Sequence, residues 1–348
     1  MRKVELEKPL FSIVILGYDS LRFIENCMQS VLGTDYENIE VIVVDNASKD
    51  GSFQYLEEKF AQDKRVTIIR NMVNVGFAEG NNIGARKANG KYLTFLNMDT
   101  RVTPSWIGEV LIVMEADDSI GACQSKLLLM SNPEYFDSAG DFVDKYGVMM
   151  RRGGDLPEKD RGQYDKIVEI FSARGAALTI RRDLFERIGG FDASYFLTYE
   201  DIDLCWRVRL SLHKVVFVPR SVVYHYGGFS LTPNRVFLST KNWLTTIIKN
   251  YELQNAMRVM IPVTTIVFVT ALFESLAKKR PILSLQRVAG LVWAILNLKP
   301  IWTKRLGVQS EIRKAPDVEI VSKMINTNLA VLYWPHVWRR MSKQGIDF

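Results

Sequence analysis

Short apolar runs alternate with amphipathic stretches along the first hundred residues. The apolar runs have the length of buried strands and cover residues 11–16, 39–44, 65–70 and 92–96. The stretches between them carry apolar residues at helical spacing and cover residues 20–32, 52–62 and 78–89. Because strands and helices alternate at short spacing, this pattern predicts an α/β fold with a mostly parallel sheet and helices on both faces.

Three of the four predicted strands end in polar residues, which are Tyr18-Asp19, Asp45-Asn46 and Asn97-Met98-Asp99. Ligands of parallel α/β sheets bind beyond the carboxyl ends of the strands, so we expect these residues to line one crevice. Asn97 and Asp99 can face the same side of an extended chain. Mg²⁺ typically takes one or two protein carboxylates together with phosphate oxygens of a substrate. One interpretation is therefore a metal that holds a diphosphate; the other is that both residues only mark a strand-to-turn junction.

Glycines recur every four residues in the segment 74–84, at Gly76, Gly80 and Gly84. This spacing matches neither a dinucleotide fingerprint nor a Walker loop. Two explanations stay open for Gly80 and Gly84: close approach of a ligand, or close packing of a helix on the sheet.

The middle of the chain is less regular. Residues 120–170 are expected to form short strands and a mobile segment that acts as a lid. A strand is predicted over 171–180, followed by a short helix over 183–188 that ends at a Gly-Gly pair.

Three carboxylates, Glu200, Asp201 and Asp203, open a predicted helix that runs to about residue 212. Acidic residues favour a helix N-terminus through the macrodipole, which explains one or two of them structurally. The dipole is also expected to keep a carboxylate ionised near neutral pH, as a general base requires. His225 follows a predicted strand over 214–219, where it is either structural or a metal ligand.

The last third of the chain differs in charge and in hydropathy. Residues 241–348 hold 16 Lys and Arg against 6 Asp and Glu, whereas residues 1–240 hold 29 against 33. Apolar stretches at 259–273 and 282–298 are flanked by Lys, Arg and Trp, which favours binding to an anionic bilayer rather than to nucleic acid. The first stretch, of about 15 residues, is shorter than a spanning helix. The alternatives are a helical hairpin packed on the protein or on a second subunit, and a transmembrane hairpin.

The composition is that of a globular protein, with 47% apolar and 24% charged residues among 348. Three separate cysteines and no apolar leader favour a reducing compartment, the cytoplasm. We expect a catalytic domain over 1–240, with halves of about 1–100 and 101–240, and a basic helical region over 241–348.

Six motifs in this order resemble glycosyltransferase family 2, and most closely its rhamnosyltransferase-like branch. The resemblance covers roughly residues 11–230, and its motifs begin at Ser12, Val43, Asn74, Leu96, Gly189 and Tyr199. It implies the GT-A fold, a Rossmann-like sheet, and an inverting enzyme that uses a nucleotide-sugar donor and a divalent cation, Mg²⁺ or Mn²⁺.

The resemblance also implies roles by position. Asp201 would be the catalytic base with Glu200 beside it, and Asp99 and His225 would bind the metal. Asn97 stands where many members have the first Asp of a D-x-D motif, and Asp19 stands where Asn is frequent. The nucleotide-sugar contacts would be Tyr18, Asp19, Asp45, Asn74, Gly76, Asn81 and Asn97. The acceptor side would be Gly175, Ala176 and Trp206.

This leads to one expected function and two alternatives. The expected enzyme transfers a sugar from a UDP- or dTDP-sugar, for example dTDP-rhamnose, to a hydroxyl of a glycan. The glycan is expected to be attached to a polyprenyl carrier, and the reaction to take place at the cytoplasmic face of the membrane. A base alone suffices because a diphosphate leaving group needs no proton, unlike in a glycosidase. The alternatives are a membrane-anchored binding pseudoenzyme and a sugar nucleotidyltransferase. A homo-oligomer stays open; the sequence identifies neither the sugar nor the linkage.

Overall fold

The computed structural model describes residues 8–326 except 156 and 228–230. The part of the predicted basic helical region that covers 327–348 lies outside the described residues. All numbered elements below belong to the described part of the chain.

The first half alternates strands and helices as the hydrophobic pattern predicts. Its elements are β1 (Phe11–Gly17), α1 (Leu21–Leu32), β2 (Ile39–Asp45), α2 (Ser52–Phe60), β3 (Val66–Arg70), α3 (Gly76–Ala85) and β4 (Tyr92–Asn97). The strands β3, β2, β1 and β4 lie side by side and are parallel. A Cβ added at Gly84 would lie 2.3 Å from the Val14 side chain, and one at Gly80 would lie 2.6 Å from Leu16. Close packing of α3 on the sheet therefore accounts for both glycines.

The second half adds strands of mixed direction. Its elements are β5 (Thr100–Val102), α4 (Trp106–Ala116), β6 (Ile120–Leu129), β7 (Asn132–Ser138), β8 (Asp141–Val143), β9 (Met149–Arg151), β10 (Val168–Glu169), β11 (Ala177–Arg181), α5 (Arg182–Arg187), α6 (Glu200–Leu210) and β12 (Lys214–His225). The main sheet runs β10-β12-β6-β11-β4-β1-β2-β3, with β5 on β12 and β7 on β6. Two expectations change: β6 is a ten-residue central strand, and the strand predicted over 171–180 begins only at Ala177.

Helices cover both faces of the sheet. The core on one face includes residues of α1, α2 and α4, and the core on the other includes residues of α3, α5 and α6. α6 is buried on two sides: Leu204 and Val208 belong to the core with the sheet, and Ile202 and Trp206 belong to a third core with the C-terminal helices. Helix α6 therefore packs against the sheet on one side and against the C-terminal helices on the other.

The C-terminal region is helical. Its elements are α7 (Pro233–Asn250), α8 (Leu253–Leu276), α9 (Pro281–Leu296), α10 (Leu298–Gly307), a π-helical turn (Val308–Ile312) and α11 (Asp317–Ser322). The Thr232 hydroxyl accepts from the Arg235 N–H and Pro233 opens α7, which is a favourable helix start. The division into domains at residue 240 stays a prediction; α7 passes through this position.

Helix α8 is longer than the sequence suggests, with 24 residues against the expected 15. By length and composition it could cross a membrane, and α9 with residues 298–312 forms a second apolar pair, bent by 66°. Large apolar side chains on α8 and α9 are exposed, among them Ile261, Leu272, Leu276, Leu285 and Leu296.

A cluster of charged residues, which we call the ion cluster, joins the C-terminal helices to α6. Lys249 of α7 lies 2.8 Å from Asp192 and 2.8 Å from Asp203 of α6. Arg207 also pairs with Asp203, and Lys304 of α10 also pairs with Asp192. Because Asp203 and Lys249 are almost fully buried, both depend on the ion pairs of this cluster for charge compensation.

Candidate active site

The carboxyl ends of β1, β2 and β4 meet at one edge of the sheet. Gly17 lies opposite Asp45, and Leu16 lies opposite Asn97. The structure therefore brings the three polar strand ends together, as expected from parallel strands. Tyr18 follows Gly17 and is about half exposed.

Asp45 and Asp19 are held by one loop, residues 46–50. The Asp45 Oδ2 atom accepts from the Ser48 N–H at 3.2 Å, while its Oδ1 atom is buried without a partner among the described residues. Asp19 accepts from the Lys49 N–H at 2.7 Å, and its own N–H donates to the Ser48 hydroxyl at 2.9 Å. Asp45 therefore offers one unused acceptor, and the loop uses the Oδ1 atom of Asp19.

The turn before α3 is organised by Asn46. Its amide donates to Asn74 Oδ1 at 3.0 Å and to the Gly76 carbonyl at 3.2 Å. Gly76 has a φ of +85°, and a Cβ there would lie 2.6 Å from the Phe196 ring and carbonyl. Asn81 is buried in α3 and donates to the Phe77 carbonyl. Asn74 and Asn81 thus use these amide atoms within the protein.

Asp99 and His225 converge on the other side of β4. β12 pairs with β5 so that His225 lies opposite Thr100, one residue from Asp99. His225 Nε2 lies 3.3 Å from Asp99 Oδ1 and 3.5 Å from Asn97 Nδ2. On its other side, His225 Nδ1 lies 2.9 Å from Asp137 Oδ2. Burial lowers the pKa of His225, but the hydrogen bonds with Asp137 and Asp99 outweigh it and raise the pKa to about 9.

Once the His225 imidazole has lost its proton, the donor set at this point fits a divalent cation. Two ligands about 2.1 Å from a metal in adjacent octahedral positions are about 3 Å apart, close to the 3.3 Å between Asp99 and His225. Asp137 would orient the imidazole from its second nitrogen, as carboxylates commonly do behind metal-bound histidines. The described residues contain no group of three or more His, Cys, Asp or Glu placed to hold an ion. The remaining ligands would have to come from substrate oxygens or water.

The acidic end of α6 faces the junction of β4 and β11. The Gly175 N–H donates to Asp201 Oδ2 at 3.3 Å, and the Ile202 N–H donates to Asp201 Oδ1 at 2.8 Å. Glu200 is buried, and its Oε2 atom has no partner among the described residues. Arg174 lies beside this pair, and its Nη1 atom is likewise unpartnered in the described part of the chain.

Burial opposes the expectation that the helix dipole keeps a carboxylate ionised at this end of α6. Burial raises the pKa of both Glu200 and Asp201, and the Asp201 charge adds to the rise for Glu200. Arg174 and the two backbone N–H donors offset part of the rise for Asp201. Since Asp201 receives these N–H bonds and Glu200 has an unpartnered oxygen, the surroundings favour the ionised form of Asp201 over that of Glu200.

The residues assigned to the acceptor side lie in two different environments. Gly175 contacts Asp201, and the Ala176 carbonyl accepts from the Asn97 N–H at 3.2 Å. Trp206 is fully buried and packs edge-on against Phe171 and Tyr251. The structure therefore does not support Trp206 as a surface for an acceptor, because the third core encloses its ring.

The sequence reasoning misses two residues of the site, Asp137 and Arg174, and the structural role of a third, Asn46. Asp137 contacts His225 from 88 positions away and carries no local signal. Arg174 directly precedes Gly175, and its charge was the one available hint. Asn46 was noticed only as the end of a strand, although its amide fixes the Asn74–Gly76 turn.

The family comparison decides what kind of protein carries this site. Residues 12–189, half of the chain, match the family model described as glycosyl transferase family 2. The chain belongs to glycosyl transferase family 2. The matched range ends before Glu200, Asp201 and His225, so the roles of these three residues rest on geometry.

Some relatives of this chain are named for a part in glycan synthesis, and others are uncharacterized. An uncharacterized glycosyltransferase of Haemophilus influenzae is 35% identical over 126 residues, which are 36% of this chain and 39% of that protein. The O-antigen biosynthesis protein RfbC of Myxococcus xanthus is 28% identical over 229 residues, 64% of this chain and 18% of that protein. The chain thus spans about two fifths or less of the length of these relatives.

Solved structures support the GT-A-like fold of this glycosyltransferase. GalNAc-T7 with UDP, GalNAc and Mn²⁺ matches with a TM-score of 0.59 at 16% identity, over 85% of this chain and 58% of that one. The mannosyltransferase PcManGT of Pyrobaculum calidifontis, with GDP-Man and Mn²⁺, matches with a TM-score of 0.52 at 13% identity, over 84% and 88%. At these identities the likeness concerns the fold.

Proposed function

We propose that this glycosyltransferase is a metal-dependent, inverting enzyme that transfers a sugar from a pyrimidine nucleotide-diphosphate donor to a glycan hydroxyl. One observation carries the proposal. The Ala176 carbonyl binds Asn97, next to the proposed metal ligand Asp99, while the adjacent Gly175 N–H binds the proposed base Asp201. Two consecutive residues, Gly175 and Ala176, thus connect the proposed cation site with the proposed base through their backbone.

The donor nucleotide would lie over the ends of β1 and β2. The buried, unpartnered Oδ1 atom of Asp45 is suited to accept the ring N–H of uracil or thymine. Tyr18 is exposed at the rim and can cover the base. UDP and dTDP both offer this N–H group, so both remain donors to test, dTDP-rhamnose included.

Asp99 and His225 would hold the divalent cation, Mg²⁺ or Mn²⁺, with Asp137 orienting the imidazole. Bound there, the cation would stabilise the departing diphosphate as a Lewis acid. Asn97 adds a neutral amide near the same point.

Asp201 would remove the proton from the acceptor hydroxyl as that oxygen attacks the anomeric carbon from the face opposite the diphosphate. The oxygen–carbon bond forms, the carbon–diphosphate bond breaks, and the proton passes to Asp201, so the configuration inverts. Glu200 lies beside Asp201 and, when protonated, can donate a hydrogen bond to the acceptor.

The acceptor would be a lipid-linked glycan used in cell-surface polysaccharide synthesis. The exposed apolar side chains of α8 and α9 and the basic link Lys278-Lys279-Arg280 between these helices support docking on an anionic bilayer. The proposed location is the cytoplasmic face of the membrane.

A donor scan tests the proposal. Purified protein is incubated with UDP-, dTDP- and GDP-sugars and Mg²⁺ or Mn²⁺, and nucleotide release by slow hydrolysis is measured. Release from a pyrimidine donor that stops with chelator is expected. Release from a GDP donor alone, or release unaffected by chelator, contradicts the donor class or the metal dependence. If no nucleotide is released, binding of UDP and dTDP is measured by calorimetry. Failure of both to bind overturns the proposal.

A further inference from the structure

A cavity of about 200 Å³ lies where α7, α8 and α9 meet the start of α6. Tyr199, Ser239, Trp243, Ile266 and Arg287 line it. Pockets for drug-sized ligands measure roughly 300–1,000 Å³, so this cavity suits a single ring-sized group. No residue of the proposed donor, metal or base sites lines it.

The cavity is close to the proposed base through Tyr199. Tyr199 lies two positions before Asp201, so their Cα atoms are at most about 7 Å apart. The loop that leads into α6 is strained: Phe196, Thr198 and Tyr199 all have positive φ values. Such conformations cluster at functional sites, where surrounding structure holds them in place.

The charge in the cavity is compensated. Arg287 of α9 donates from Nε to Glu274 at 3.0 Å and from Nη2 at 2.6 Å, and both side chains are largely buried between the two helices. The pair carries no net charge. Its two hydrogen bonds come from Nε and Nη2 and do not use the Nη1 atom of Arg287. A neutral hydrogen-bonding ligand is therefore favoured over a phosphate, which would bring uncompensated charge into a poorly solvated place.

The remaining lining is amphipathic. Trp243 and Tyr199 provide aromatic rings, with the Trp243 indole fixed by its bond to the Tyr146 carbonyl at 2.8 Å. Ile266 provides an apolar wall and Ser239 a hydroxyl. A sugar ring has an apolar C–H face and a hydroxyl edge, and this combination of rings, hydroxyl and guanidinium complements both.

We propose that this cavity binds a neutral sugar unit of the acceptor glycan, next to the unit that carries the attacked hydroxyl. The inference rests on the proposed function, because it takes Asp201 as the base. It requires the acceptor to have at least two sugar units, and it gives the C-terminal helices a part in acceptor selection.

The test uses a thiol reporter, since Cys27, Cys123 and Cys205 are all buried. Ser239→Cys in the full chain is labelled with a maleimide, and Ser131→Cys on an exposed turn serves as control. The probes are maltose, lactose and diacetylchitobiose, their constituent monosaccharides, farnesyl phosphate and inorganic pyrophosphate. At least one disaccharide is expected to slow labelling of Cys at 239 fivefold or more, at concentrations where its monosaccharides do not, and to leave the control unchanged.

Two variants add to the test. Glu274→Gln combined with Arg287→Gln removes both charges together, so no buried charge is left unpaired. This double variant is expected to lose the protection while retaining the wild-type melting temperature within about 2 °C.

The outcomes separate this inference from the proposed function. Protection by farnesyl phosphate or pyrophosphate alone, or by no probe, overturns the sugar subsite. Calorimetric binding of UDP or dTDP to the same preparation shows that the proposed donor site stands in that case. Absence of nucleotide binding instead counts against the proposed function itself.

Discussion

The ion cluster makes a quantitative prediction about Lys249. In Lys249→Met the aliphatic stem is preserved, but Asp192 and Asp203 each lose a partner at 2.8 Å. Asp203 retains Arg207, and Asp192 retains Lys304. The variant therefore leaves two cations and two carboxylates in the cluster, but it breaks two buried ion pairs at once and leaves each carboxylate with one partner instead of two.

Breaking a buried ion pair from one side costs about 3–5 kcal/mol. Total stabilities are about 5–15 kcal/mol, so the variant loses a large share but is expected to fold. With an unfolding entropy of roughly 2.1 cal/mol/K per residue, 348 residues give about 0.7 kcal/mol/K. The melting temperature should fall by about 4–7 °C.

The loss should also depend on pH. Burial opposes ionisation of Asp203 and Asp192, but the neighbouring Lys and Arg charges outweigh it and lower the pKa of both carboxyls. A lowered folded-state pKa stabilises the protein above the unfolded pKa of about 3.9, and the stabilisation disappears as the pH falls through the folded value. The gap between wild type and variant should be full at pH 7 and shrink below about pH 4.

The assay is thermal and urea unfolding at pH 7 and at pH 3.5. Lys59→Met is the matched control because the Lys59–Glu58 pair is exposed, and it should change stability by less than about 0.5 kcal/mol. A loss below about 1 kcal/mol for Lys249→Met, or an equal loss at both pH values, would refute the reasoning.

Three further predictions concern activity. Asp99→Ala and Asp201→Asn should each reduce transfer at least about 100-fold. Asp201→Asn should retain nucleotide binding by calorimetry, and loss of both transfer and binding in this variant would contradict the base assignment. Arg174→Gln removes the cation that lowers the pKa of Asp201, so the acidic limb of the rate profile should move to higher pH, and an unchanged limb would contradict that role. Gly76→Ala places a methyl group 2.6 Å from Phe196 at a position with positive φ, so it should weaken nucleotide binding and lower the melting temperature. A wild-type melting curve for this variant would contradict the described turn.

Packing explains two positions of the resembling motifs. No role was predicted for Asp192, which follows Gly189-Gly190-Phe191, and its carboxylate binds Lys249 and Lys304 of the C-terminal helices. Trp206 follows the acidic residues of α6 by only a few positions, yet its ring points into the third core. Local sequence cannot show which side of a helix is covered when both sides are apolar.

The sequence by itself determined the alternation of strands and helices, the four parallel strands of the first half, and the polar ends of β1, β2 and β4. These follow from periodicity and from turn chemistry, which act over a few residues. Only the tertiary structure decided that Asp137 holds His225, that Arg174 and Gly175 face Asp201, and that α7 and α10 hold the helix of the proposed base through the ion cluster. These contacts join residues tens of positions apart, and their energies depend on burial and charge compensation, which exist only once the chain has folded.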